Sequence, residues 1–172
     1  KTLGPDVGLV ATSVITVPPT VTSSINDLNL LLDLDHALMA DLDVTLTSPG
    51  GTVVPLFTDV GATATGGQAS MDLELDDTAG IPIGSYTVVS GMAYMPEQPG
   101  RLSNFGGQPA GGTWTLSLAD DLTNTSGGTL NAWSLEVCGD PPPAYGLSLT
   151  KTVGLDPALC ATSTSITVPP GA

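Results

Sequence analysis

Residues 28–35 read "LNLLLDLD", which sets Leu28, Leu30, Leu32 and Leu34 on one side of an extended backbone and Asn29, Asp33 and Asp35 on the other. Successive side chains of a strand point to opposite faces, so this spacing suits a half-buried β-strand and no helix. The period recurs along the chain. In "DLDVTLTSP", Leu42, Val44 and Leu46 oppose Asp41, Asp43, Thr45 and Thr47; in "SMDLELDD", Met71, Leu73 and Leu75 oppose Asp72, Glu74 and Asp76. "GTWTLSLADD" turns Trp114, Leu116 and Leu118 inward, and "AWSLEVCG" does the same with Trp133, Leu135 and Val137. Turn clusters such as "SPGGT", "PEQPGR" and "GGQPAGG" separate the runs, and helical periodicity is nowhere sustained. The expectation is an all-β fold: a jelly-roll β-sandwich with solvated outer faces and a strand-forming C-terminal tail.

Charge narrows the partners. Three basic residues stand against seventeen acidic ones, a net charge of −14. Such a surface repels phosphate backbones and anionic lipid heads, which excludes nucleic acid, and it suits a medium rich in divalent cations. With aromatic residues at only 4%, leucine and valine must build most of the core. No apolar run reaches the roughly 18–20 residues of a membrane span. The chain lacks an initiating Met and a signal-peptide pattern, as a processed chain or an excised segment would. Abundant Thr, Ser, Gly and Asn with scarce Lys favour an extracellular or cell-surface setting, and Asn124-Thr125-Ser126 forms a glycosylation sequon.

Catalytic constellations are missing from the sequence. A Ser-His-Asp triad needs a histidine base, and His36 is the one histidine in the chain, placed at a strand end where a structural role is expected. There is no Gly-x-Ser-x-Gly elbow, and neither cysteine has a base beside it. The acidic pairs have more to say. Asp41 and Asp43 share a strand face, while Asp76-Asp77 and Asp120-Asp121 each end a strand. Three acidic strand ends converging at one rim would give calcium the oxygen ligands it takes, although Asp at a strand end also simply favours turns. One histidine and two distant cysteines offer zinc no ligand spacing, and no aromatic subsite residues accompany the carboxylates as a glycosidase would need.

Five segments, in order, resemble the P domain (Homo B domain) of furin- and kexin-type proprotein convertases, in its prokaryotic secreted or surface form. They are "DHALMADLDVTLTSPGGTVVPL", "ELDDTAG", "RLSNFGG", "GGTWTLSLADD" and "GGTLNAWSLEV", within about Ile25 to Val137. The resemblance implies a jelly roll of about eight strands and no catalytic machinery, since convertases carry theirs in a separate subtilisin-like domain. The tail "LSLTKTVGLDPALCATSTSITVPPGA" resembles the opening strands of an immunoglobulin-like repeat of prokaryotic surface proteins. In such repeats a cysteine pairs with another further along; Cys138 and Cys160 leave one disulfide open here.

The chain therefore divides into an N-terminal strand region (1–24), the P domain (25–139), a proline linker (140–144) and a tail (145–172). The tail ends on "ITVPP", which echoes "ITVPP" near the start. Two strands bury no core alone, so the tail must borrow a partner or stay loose. Docking on another subunit through Leu147, Leu149, Ile166 and Val168 would build filaments by strand donation; docking on its own sandwich would not. The expected function is a non-catalytic structural or adhesive surface module that partners other protein subunits. The alternatives are the stabilising domain of a secreted subtilisin-like protease, and a carbohydrate-binding module.

Overall fold

The computed structural model describes residues 1–3, 10–21, 23–63, 66–84, 86–122, 127–140 and 164–168. They contain twelve strands: β1 (Thr2–Leu3), β2 (Val10–Val17), β3 (Ser24–His36), β4 (Leu42–Thr47), β5 (Val53–Thr58), β6 (Ala62–Thr63), β7 (Gly66–Gly67), β8 (Ser70–Leu75), β9 (Met92–Tyr94), β10 (Gly112–Asp120), β11 (Gly128–Asp140) and β12 (Thr164–Val168). One-turn 3-10 helices at Met39–Asp41 and Leu102–Phe105 are the only helical turns among the described residues. One sheet runs β1-β11-β3-β8-β9, with β12 also on β11; the other runs β2-β10-β4-β5. Their inner faces build one core, so the fold is an all-β sandwich.

The period-two reading holds on both sheets. Leu28, Leu30, Leu32 and Leu34 of β3, Met71, Leu73 and Leu75 of β8, and Leu42, Val44 and Leu46 of β4 are all buried. Trp114 sits fully inside, its ring edge-on to Phe105 at 5.1 Å, and its indole N–H donates to Ala110 O at 2.9 Å. Trp133, also buried, donates from Nε1 to Ser13 Oγ at 3.0 Å and so ties β11 to β2 across the two sheets. Val137 is only partly buried. At the far edge, β5 accommodates Pro55, since an edge strand can lack one N–H without losing a ladder bond.

The N-terminal strand region joins the sandwich: β2 pairs with β10 along its whole length, and Ile15 and Val17 enter the core. β11 runs on to Asp140, which pairs with Ser24, so the first residue of the expected linker is a strand residue. Residues 141–144 lie outside the described residues, as do Leu147 and Leu149. The tail strand that contains Ile166 and Val168 is β12, and it pairs antiparallel with β11 of its own chain, Ile166 opposite Leu135 and Val168 opposite Trp133. The tail strand thus docks in cis. The physical reason is proximity: β11 would otherwise leave an open edge beside the tail's own point of departure.

Candidate functional site

β4 and β10 are neighbours, with Asp43 in register with Ala119, and β5 flanks β4 with Thr58 in register with Asp43. The residues that follow these partners bend toward Asp43. Asp59 N–H donates to Leu42 O at 3.2 Å, and Asp121 N–H donates to Asp41 O at 3.1 Å. Asp59 adopts a left-handed φ of 51°, a conformation that a short polar side chain tolerates better than a bulky one. As a result, carboxylate oxygens of Asp43, Asp59 and Asp121 all lie within 4.8 Å of one another. Glu97 stands nearby, its Oε2 accepting from Thr58 N at 2.7 Å and Thr58 Oγ1 at 2.9 Å.

This corner works against its own charge. Burial raises the Asp43 carboxyl above its usual range, and Asp121, Asp59 and Glu97 push it further in the same direction. Burial likewise raises Asp59, followed by repulsion from Asp121, Glu97 and Asp41. Three converging carboxylates could hold a hard, oxygen-seeking cation such as calcium, which tolerates irregular geometry. Zinc has no partner set here, because neither histidine nor cysteine belongs to the group.

The six aspartates expected at one rim therefore separate into three groups. Asp43 and Asp121 meet, and they are joined by Asp59, which no pairing in the sequence singled out. Its one signal was a lone acid at the end of an apolar strand, in "LFTDVG". Asp41 and Asp120 are buried at 2% and 3% exposure, because the alternation of β10 turns Asp120 inward while Asp121 faces out. Asp76 and Asp77 follow β8 of the other sheet and serve the backbone. Asp76 Oδ1 accepts from Thr78 N at 2.7 Å, and Asp77 accepts from Leu102 N at 2.9 Å and Ser103 N at 2.8 Å, capping the 3-10 helix.

His36 ends β3 deep inside the protein. Its Nδ1 lies 2.7 Å from Leu38 O, and its Nε2 lies 3.5 Å from Asp120 Oδ2, both side chains being buried. β11 closes directly over the ring: a Cβ on Gly128 would stand 2.8 Å from His36 Cδ2, which only glycine avoids. The pair joins β3 of one sheet to β10 of the other. Cys138 is disulfide-bonded, whereas Cys160 and Asn124 lie outside the described residues.

The sequence matches the proprotein convertase P-domain family over residues 25–137, about two-thirds of the chain. The chain belongs to this family. The matched span runs from the second residue of β3 into β11 and takes in the acidic corner and the His36–Asp120 pair. Among solved structures, this chain is similar to a serine protease of Aeromonas sobria at 16% identity and a TM-score of 0.38, covering 80% of this chain and 20% of that one. It also resembles the Aeromonas sobria serine protease in complex with its chaperone, at 18% identity and a TM-score of 0.39, covering 80% and 19%. This chain thus spans about a fifth of the length of those proteins. No curated protein matches it.

Proposed function

We propose that this P domain is a non-catalytic extracellular module, the stabilising accessory domain of a secreted subtilisin-like protease. The observation that carries the reading is the family match over residues 25–137, which covers most of both sheets of the sandwich. His36 supports it, because the one histidine of the chain is enclosed between Leu38 O and Asp120 and is unavailable as a base. Disulfide-bonded Cys138 suits an oxidising compartment. No helix among the described residues is long and apolar enough to cross a membrane. Within this reading, calcium at Asp43, Asp59 and Asp121 offsets the repulsion of the corner.

The adhesive, filament-forming reading has less behind it, since the strand it needs as donor lies on its own β11. A carbohydrate-binding surface needs exposed aromatics, and among the described residues Tyr86 is the only exposed one. The test is deletion of residues 25–137 from the full natural protein. The expected outcome is an adjoining protease domain that no longer reaches a folded, active state. A gene without any protease domain, or a protease that cleaves at an undiminished rate after the deletion, overturns the proposal.

A further inference from the structure

The outer edge of β11 is covered in two pieces. β1 pairs at Thr129 and Gly128, supported by mutual bonds between Lys1 and Leu130, both at 2.8 Å. β12 pairs from Trp133 to Val137. Between them the β11–β3 register shifts at Leu130/Ala132, so Asn131 interrupts the ladder where one cover ends and the other begins. The next residue after the β12-paired segment is Cys138, which is disulfide-bonded; the sequence contains one other cysteine, Cys160, four residues before Thr164. β12 also approaches β2, whose "SVITVPP" it echoes, so Trp133 stands between the two: it pairs with Val168 and bonds Ser13 of β2.

We propose that β12 is a clasp over the Trp133–Val137 edge of β11, that a Cys138–Cys160 disulfide holds it there, and that reduction opens this edge to the same strand of a second copy. An uncovered strand edge presents unpaired N–H and C=O groups and is a template for strand addition. The occupant that fits best is the one already seated, so release favours exchange of β12 between copies, which restores every cis pairing in trans. The chain between Asp140 and Thr164 is long enough: 23 residues span at most about 75–80 Å. Reduction by a dithiol proceeds through two thiol–disulfide exchanges. Two electrons and two protons pass to the paired sulfurs, which become thiols, and the reductant leaves as its own disulfide.

Closing a loop of about twenty residues raises the local concentration of the clasp by a factor of roughly 10²–10³ relative to the open chain. Hydrogen exchange on the full chain measures this. Reduction, or Cys160→Ser, should speed exchange by roughly that factor at those amides of Trp133–Val137 that point away from β3. The amides of β4 and β10 should keep their protection. Light scattering at rising concentration should then show dimers in the reduced protein and monomers in the oxidised one. A synthetic peptide of residues 161–170 should compete with dimer formation. Unchanged exchange on reduction overturns the clasp, and faster exchange without any dimer overturns the second copy as occupant. Dimers that persist equally in the oxidised protein, or that ignore the peptide, overturn the exchange of β12.

Discussion

Trp114 is the position at which the core reading can be pressed hardest. The indole is fully buried, meets Phe105 edge-on, and supplies the hydrogen-bonding partner of Ala110 O. Trp114→Ala removes all three contributions. Truncating a buried tryptophan costs about 3–5 kcal/mol, within which the edge-to-face contact accounts for about 0.5–1.5 kcal/mol. Trp114→Phe keeps a ring against Phe105 and mainly leaves the Ala110 carbonyl unpaired, a cost of about 1–3 kcal/mol. Because small domains are stable by only about 5–15 kcal/mol, the alanine variant should fall near the threshold of folding while the phenylalanine variant stays folded. Equilibrium urea unfolding, followed by far-UV circular dichroism and by the emission of the remaining Trp133, separates the two. A loss below about 1 kcal/mol for Trp114→Ala would show that the ring is not a core anchor. Equal losses for both variants would show that the carbonyl bond carries the whole effect and the ring contact none.

The His36–Asp120 pair lends itself to a double-mutant cycle. His36→Leu and Asp120→Leu alone should each cost about 3–5 kcal/mol, since each leaves the facing atom of its partner, Asp120 Oδ2 or His36 Nε2, buried without its counterpart, and the double variant should recover at least about 2 kcal/mol of their sum. Additive losses in urea unfolding would mean that the two side chains do not interact. At the acidic corner, Asp43 and Asp59 have folded-state carboxyls raised above the usual carboxylate range, so the native state binds protons more tightly than the unfolded one. Their cost is therefore absent below about pH 4, grows as pH rises through the raised values, and is fully present at neutral pH. Asp59→Asn keeps a side chain that tolerates the left-handed backbone. In chelator at pH 7 it should stabilise by a few tenths to about 1 kcal/mol after solvent screening, and at pH 3.5 it should give no gain. Calcium at about 100 times its Kd should stabilise the parent by about 2.7 kcal/mol and Asp59→Asn by clearly less. A melting curve that ignores calcium in both proteins removes the metal from the corner.

What was legible in the sequence was whatever one strand can state about itself. Leu28 to Leu34 and Trp114 to Leu118 declare their faces through alternation, and the buried side chains fall on the declared faces. The strands of the P-domain motifs announced themselves for the same reason. What one strand cannot state is which neighbour it will meet. Asp59 reaches Asp43 only because β5 pairs with β4, and Asp121 only because β10 lies on β4's other side. Asp76 and Asp77 look the same as Asp120 and Asp121 in sequence, yet β8 lies in the other sheet, so Asp76 serves the turn at Thr78 and Asp77 caps the 3-10 helix instead. The destination of the tail was illegible for a related cause: "TSITV" suits any open edge, and only the tertiary arrangement presents β11 as the nearest.

The doublet Asp120-Asp121 joins the two parts of the site. One acid faces in to His36 and the other faces out to Asp43 and Asp59, because a strand turns consecutive residues to opposite sides. A slip of β10 by one residue against β4 would exchange them. It would carry Asp120 away from His36, and it would take Trp114 out of the core at the other end of the same strand. The buried pair and the indole thus specify one register from both ends of β10, and that register brings Asp121 to the corner. On this argument the corner is a consequence of core packing, which explains why its carboxylates tolerate mutual repulsion: the energy that holds them together comes from the apolar side of the same strands.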